Sequence, residues 1–189
     1  MSNSESNETL TRMGPGAAMG RVFRQFWQPA LLSEELPVAD CPPVRVRLMG
    51  EDFVAFRDSS GKVGLLDAHC PHRLADLFFG RNEEGGLRCV YHGWKFSVAG
   101  EILDMPSEPQ GSPMRCNPNL RAKAYPVREA GGIIWAYLGP QESMPALPDM
   151  EFMSLPPQNV HVSKCLMKCN YLQALEGSID TAHLTFLHH

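Results

Sequence analysis

The sequence predicts a mainly β chain, in which small antiparallel sheets take up most of the length and the beginning of an α+β domain, a strand plus a helix, follows. Three features carry this expectation: short stretches where apolar and polar residues alternate, glycine-containing turns between them, and one helix-like segment near residue 170, after a proline-rich run. Alternation with period two puts every second side chain on one face, which suits a half-buried strand.

Residues 1–20 are polar and read as a flexible tail, after which Phe23, Phe26, Trp27 and Leu31 supply the first apolar anchors. Val44, Val46 and Leu48 alternate with Arg45 and Arg47, and Gly50-Glu51-Asp52 is expected to turn the chain into Phe53-Val54-Ala55-Phe56. A second turn, Ser59-Ser60-Gly61-Lys62, precedes Val63-Gly64-Leu65-Leu66. Residues 94–98 face Glu101-Ile102-Leu103 across Ala99-Gly100 in a further hairpin pattern. The β-rich run from Ile133 to Leu138 ends at Gly139-Pro140, and the first domain is assigned to residues 21–145. Pro145, Pro148, Pro156 and Pro157 then mark a linker, because proline suits neither a helix interior nor a central strand. Residues 146–189 are expected to hold this linker, an extended segment from Val160 to Cys169, and a helix capped by Asn170 that runs through Leu172, Leu175, Glu176, Ile179 and His183.

Composition excludes several classes. Seventeen Lys and Arg against 21 Asp and Glu give a net charge of -4, with no basic cluster of the kind that binds nucleic acid. The N-terminus lacks the apolar core of a signal peptide, and no stretch reaches the roughly 18 apolar residues of a membrane span. A soluble, cytoplasmic protein is expected, in which the 6 cysteines are reduced, buried or metal-bound rather than paired.

Two short pairs stand out: Cys70-Pro71-His72 and Cys89-Val90-Tyr91-His92, with 16 residues between His72 and Cys89. Each pair offers one thiol and one imidazole on a turn between strand candidates. A Rieske 2Fe-2S centre takes this set, two thiolates on one iron and two neutral imidazoles on the other. A zinc finger would instead space its cysteines two to four apart and place both histidines together on a helix. The remaining alternative is two buried cysteines beside unrelated histidines.

The pattern C-x-H, 16 residues, C-x-x-H resembles the fingerprint of aromatic-ring-hydroxylating oxygenases. With Gly50-Glu51-Asp52-Phe53, Gly80-Arg81 and His92-Gly93-Trp94-Lys95, residues 20–189 are similar to phthalate-dioxygenase-type oxygenase components. Respiratory Rieske proteins typically carry an extra cysteine in each loop, where this chain has Pro71, Leu74, Val90 and Tyr91.

Asp180-Thr181-Ala182-His183, followed after four residues by His188, is similar to the mononuclear-iron motif of the same family, with Asn170, Gln173 and Glu176 upstream. At about 100° per residue, Glu176, Asp180 and His183 fall within about 60° of one helix face. His188 lies about 140° from His183, so an irregularity is expected between Leu184 and His188 if both imidazoles bind one metal. A surface helix with exposed His and Asp is the alternative.

The resemblance implies that His183 and His188 bind Fe(II), that Asp180 bridges this iron to a Rieske histidine, His92 or His72, of a neighbouring subunit, and that the third iron ligand is an aspartate beyond His189. The chain is therefore expected to be a C-terminally truncated piece, inactive alone, exposing Leu172, Leu175, Ile179 and Leu187. The implied activity is hydroxylation of an aromatic substrate within aromatic catabolism, with cis-dihydroxylation of an aromatic carboxylate favoured over the monohydroxylation or oxidative demethylation of related enzymes. An NAD(P)H-dependent reductase would donate the electrons, dioxygen would be activated at Fe(II), and subunits would form a head-to-tail trimer or a multiple of it. The competing function is a Rieske electron carrier with no oxygenase chemistry, against which Asp180, His183 and His188 discriminate. His69, His161 and His189 read as ordinary histidines, Cys41, Cys116, Cys165 and Cys169 as structural cysteines, and Trp94 and Trp135 as core anchors, Trp94 shielding the cluster.

Overall fold

The computed structural model describes residues 4–188, so His189 lies outside the described residues. Two short helices, α1 (Ser4–Thr11) and α2 (Ala18–Phe23), lie in and just after the stretch that the polar composition read as a flexible tail. Contacts distant in sequence hold them: the Asn170 side-chain amide donates to the Thr11 carbonyl at 2.8 Å, Tyr171 packs edge-on against Phe23, and Arg24 pairs with Glu51. Long-range partners of this kind leave no trace in local composition.

Among the described residues, three antiparallel sheets follow. The first orders β1 (Trp27–Leu32), β11 (Ile133–Tyr137) and β10 (Val127–Ala130) as β1-β11-β10. The second contains β2 (Val44–Leu48), β3 (Glu51–Arg57), β4 (Val63–Asp67) and β9 (Ala124–Tyr125), in that order. The third is formed by β5 (Arg81–Glu83), β6 (Gly86–Arg88), β7 (Lys95–Phe96) and β8 (Ile102–Asp104). The β2–β3 hairpin is tighter than the sequence suggested, with Glu51 and Asp52 already in the ladder opposite Leu48 and Arg47. Met49 and Gly50 make the whole turn with φ of 47° and 78°, the paired positive angles of the turn that matches strand twist.

β3 is the wall shared by two of the hydrophobic cores. Phe53 and Ala55 face Leu31, Val46, Leu65 and Ile134, while Val54 and Phe56 face Leu66, Leu77, Leu87 and Phe96. A strand covered on both sides has no polar face, hence the unbroken run Phe53-Val54-Ala55-Phe56. The second of these cores lies beneath both Cys-His loops.

Beyond β11 the proline-rich segment folds back. The Trp27 indole N–H donates to the Pro145 carbonyl at 2.9 Å, and Met144, Leu147, Met150 and Phe152 pack on Trp27, Trp135 and Tyr137. Phe152 belongs to the one-turn helix α3 (Glu151–Ser154). The segment from Val160 to Cys169, expected as a strand, has no ladder partner among the described residues. Asn170 does cap a helix, accepting from the Leu172 N–H at 3.0 Å, but α4 (Tyr171–Ile179) stops before Asp180, and α5 (Leu184–Leu187) is a separate turn. Leu175, Ile179 and Leu187 are exposed as expected, and Leu172 is half-buried. No helix among the described residues is long and apolar enough to cross a membrane.

Candidate metal centre

Two loops rise from the core that holds Val54 and Phe56, and they share one hydrogen-bond pattern. In the first, between β4 and the turn at Leu77, the Cys70 N–H donates to the Ala75 carbonyl and the Leu74 N–H donates back to Cys70, both at 2.9 Å. In the second, between β6 and β7, the Cys89 N–H donates to Trp94 at 2.8 Å and Gly93 donates back to Cys89 at 3.1 Å. The fourth residue after each cysteine, Leu74 or Gly93, has positive φ, which closes the loop and turns the intervening histidine toward its partner loop.

The result is convergence of the four side chains that the sequence singled out. Cys70 and Cys89 are 2% and 3% exposed and both are free thiols, and Cys89 lies near enough to raise the cost of ionising Cys70. Burial pushes the Cys70 thiol up to about 11, partly opposed by the backbone N–H groups of His72 and Arg73 aimed at its sulfur. The His72 and His92 rings lie 4.5 Å apart between centroids. His72 is held below the usual imidazole range by burial, by His92 and by Arg73, and its Nδ1 is buried without a hydrogen-bond partner.

These donors fit a 2Fe-2S cluster. A buried imidazole nitrogen without a proton partner is costly unless a metal uses its lone pair. The buried Cys70 thiol, with amides directed at its sulfur, is a poor acid until a cation replaces the proton. Among the described residues no three His, Cys, Asp or Glu side chains close round a single ion. A two-iron cluster with two protein ligands on each iron does not need that closure.

The surroundings are specific. The Trp94 indole, fully buried, lies parallel to the His72 ring at 4.4 Å, and its N–H donates to the Ser107 hydroxyl at 3.1 Å. Tyr91, which is exposed, leans over His92 at 3.9 Å. Arg88, one residue before Cys89, donates to the Gly93 carbonyl at 2.7 Å, to Asp104 at 2.8 Å and to Glu83 at 2.6 Å, tying the second loop to β8 and β5. Arg88 and Ser107 were not anticipated: Arg88 could have been suspected from its place beside Cys89, whereas Ser107 has no local signal.

A scan against family models matches residues 26–126 to the Rieske 2Fe-2S domain. The chain belongs to the Rieske family. Within it, residues 136–189 match a model described as LigXa C-terminal domain like. The Rieske chain is 49% identical over its full length to the 3-chlorobenzoate-3,4-dioxygenase oxygenase subunit of Comamonas testosteroni, covering 43% of that protein. It is 45% identical to the phthalate 4,5-dioxygenase oxygenase subunit of Pseudomonas putida, covering 42% of it. Its fold superimposes on NdmA of Pseudomonas putida CBB5 with a TM-score of 0.72 and 26% identity, over 87% of this chain and 50% of that one. The chain thus spans less than half the length of the two curated relatives.

The second group of residues in this Rieske chain is arranged differently from the expectation. The break lies at Asp180–His183, not between Leu184 and His188: Asp180 has φ -76° and ψ 109°, and its Oδ1 accepts the Ala182 N–H at 2.8 Å, a local turn that competes with the helix. Glu176, Asp180 and His183 therefore do not share one continuous helix face. Asp180 Oδ2 lies 3.2 Å from His183 Nδ1, which leaves His183 Nε2 for another partner. His183 and His188 stand at the two ends of the single turn α5, with rings 5.5 Å apart. His69 and the cysteines Cys116, Cys165 and Cys169 are exposed; only Cys41 of the four cysteines set aside is buried.

Proposed function

We propose that this chain is the electron-receiving portion of the oxygenase component of an aromatic-ring-hydroxylating enzyme, with Cys70, His72, Cys89 and His92 as ligands of the 2Fe-2S cluster and His183 and His188 as ligands of a mononuclear Fe(II). The observation that carries it is the meeting of two buried thiols and two imidazoles, one with an unpartnered buried Nδ1, in a domain of the Rieske family. When bound, the cluster supplies one-electron transfer, and Fe(II) on two histidines and a carboxylate supplies open positions for dioxygen.

The residues divide the work. Cys70 and Cys89 give up their protons on loading, and the apolar core beneath them keeps water from competing for the thiolates. Asp180 accepts from His183, fixing the imidazole tautomer, and its exposed carboxylate is free to receive His92 or His72 of a neighbouring subunit. That contact is the route proposed for electrons between the sites, in a head-to-tail ring of three subunits or a multiple of it. An NAD(P)H-dependent reductase in the cytoplasm is the proposed donor. The names of the two relatives, a chlorobenzoate and a phthalate dioxygenase subunit, favour an aromatic carboxylate as substrate.

The test is iron and sulfide analysis, with electron paramagnetic resonance after dithionite reduction, on the purified chain and on His183→Ala. Two irons and two sulfides per chain with a Rieske signal support the cluster, and a third iron lost in the variant supports the second site. Two irons only would reduce the reading to an electron-transfer unit, and zinc without sulfide would overturn it.

A further inference from the structure

The cluster ligands are enclosed from a third side by the segment after β8. Met105 is buried in the same core as Cys70 and Cys89, and the Arg115 guanidinium donates to the Met105 and Glu108 carbonyls, closing residues 105–115 into a strap. Gly93 marks where the strap presses on the second loop: a Cβ there would lie 2.7 Å from Pro106 Cγ, and φ is +74°. The next strap residue, Ser107, accepts the Trp94 indole N–H, and that indole lies at 0° to the plane of His72. Ser107, Trp94 and His72 are thus joined in series, from the hydroxyl of an exposed residue through a fully buried ring to a ligand imidazole.

We propose that Trp94 is a positioning residue for the His72 imidazole, and that Ser107 sets the indole so that the strap controls the orientation and polarity of that ligand and, through it, the reduction potential. The inference rests on the reading of His72 as a cluster ligand.

Its sign follows from charge. An electron-rich indole face against a metal-bound imidazole favours the more positive, oxidised state. The indole also keeps water away, and water would favour the reduced state, because the oxidised cluster with two thiolates and two neutral imidazoles is neutral and the reduced one carries a negative charge. Loosening the stack therefore raises the potential. Ser107 is exposed, so removing its hydroxyl leaves the core intact and tests orientation alone.

The experiment is a redox titration, followed by the electron paramagnetic resonance spectrum of the reduced cluster, on the full chain and on Ser107→Ala, Ser107→Thr and Trp94→Phe. All variants are expected to bind two irons and two sulfides. Ser107→Ala should shift the balance between oxidised and reduced cluster several-fold toward reduced at a fixed potential and change the g-anisotropy. Trp94→Phe, whose smaller ring lacks the N–H, should shift it by about tenfold, about 59 mV for a one-electron couple. Ser107→Thr, which keeps the hydroxyl, should return both to the unaltered values. Loaded clusters with unchanged potential and spectrum in both Ser107→Ala and Trp94→Phe would overturn the proposal while leaving the ligand assignment standing. Absence of a cluster from the unaltered chain would overturn that assignment and the proposal with it.

Discussion

Leu74 and Gly93 occupy the same position in two loops unrelated in sequence: each stands four residues after a cysteine, each donates its N–H back to that cysteine's carbonyl, and each has positive φ, 56° and 74°. Glycine adopts this conformation freely, and leucine does so at a cost of about 1–2 kcal/mol. The two sites should respond unequally. Gly93→Ala adds both backbone strain and a clash with Pro106, and should destabilise the chain by about 1–3 kcal/mol. Leu74→Gly relieves strain but frees the unfolded chain, and should stay within about 1 kcal/mol of the unaltered protein. Urea denaturation of both variants is the check, and equal losses would contradict the shared geometry.

Ligand assignment makes a sharper demand on the cysteines. Cys89→Ser should lose the cluster, because a buried hydroxyl neither ionises as a thiolate does nor matches its softness toward iron. Cys116→Ser, at an exposed cysteine, should keep the same iron and sulfide content and the same visible spectrum. Loss of iron in both, or in neither, would show that the metal is held elsewhere.

The motifs were legible because metal ligation is written in residue type and spacing, and the hairpins because alternation and turn residues are local. The run Phe53-Val54-Ala55-Phe56 was visible as a strand, yet its burial on both faces, which makes it the shared wall of two cores, depends on sheets that local patterning does not place. The break before His183 was missed because helix rotation was extrapolated through Asp180, whose carboxylate captures the Ala182 N–H instead. The partnership of Trp94 with Ser107 spans 13 positions and a strap of irregular backbone, and no periodicity encodes it.

The first two sheets are pinned at their rim by Arg57 at the end of β3 and Glu129 on β10, a bidentate pair at 2.8 and 2.9 Å. Hydrogen bonding to Arg57 holds the Glu129 carboxyl below its usual value. A group whose folded value is lowered stabilises the protein above its unfolded value, near 4.5, and the benefit is lost as pH falls through the folded value. Glu129 is partly exposed, so the contribution is at most about 1 kcal/mol. Melting curves should therefore place Glu129→Gln slightly below the unaltered chain at pH 7, with the gap closing below pH about 4. A gap that stays constant across this range would assign the loss to packing.

Asp180 and His183 carry the last prediction. Because Asp180 Oδ2 takes His183 Nδ1, it fixes the tautomer that leaves Nε2 able to bind metal. Asp180→Asn keeps the size and the ability to accept from Ala182 but gives up the charge. Fe(II) affinity at the His183–His188 pair should fall about 10–100-fold in this variant, measured by anaerobic titration, with iron and sulfide at the cluster unchanged. His183→Ala should remove the same site altogether, again with the cluster intact. Equal Fe(II) affinity in Asp180→Asn and the unaltered chain would confine Asp180 to the local turn that ends α4.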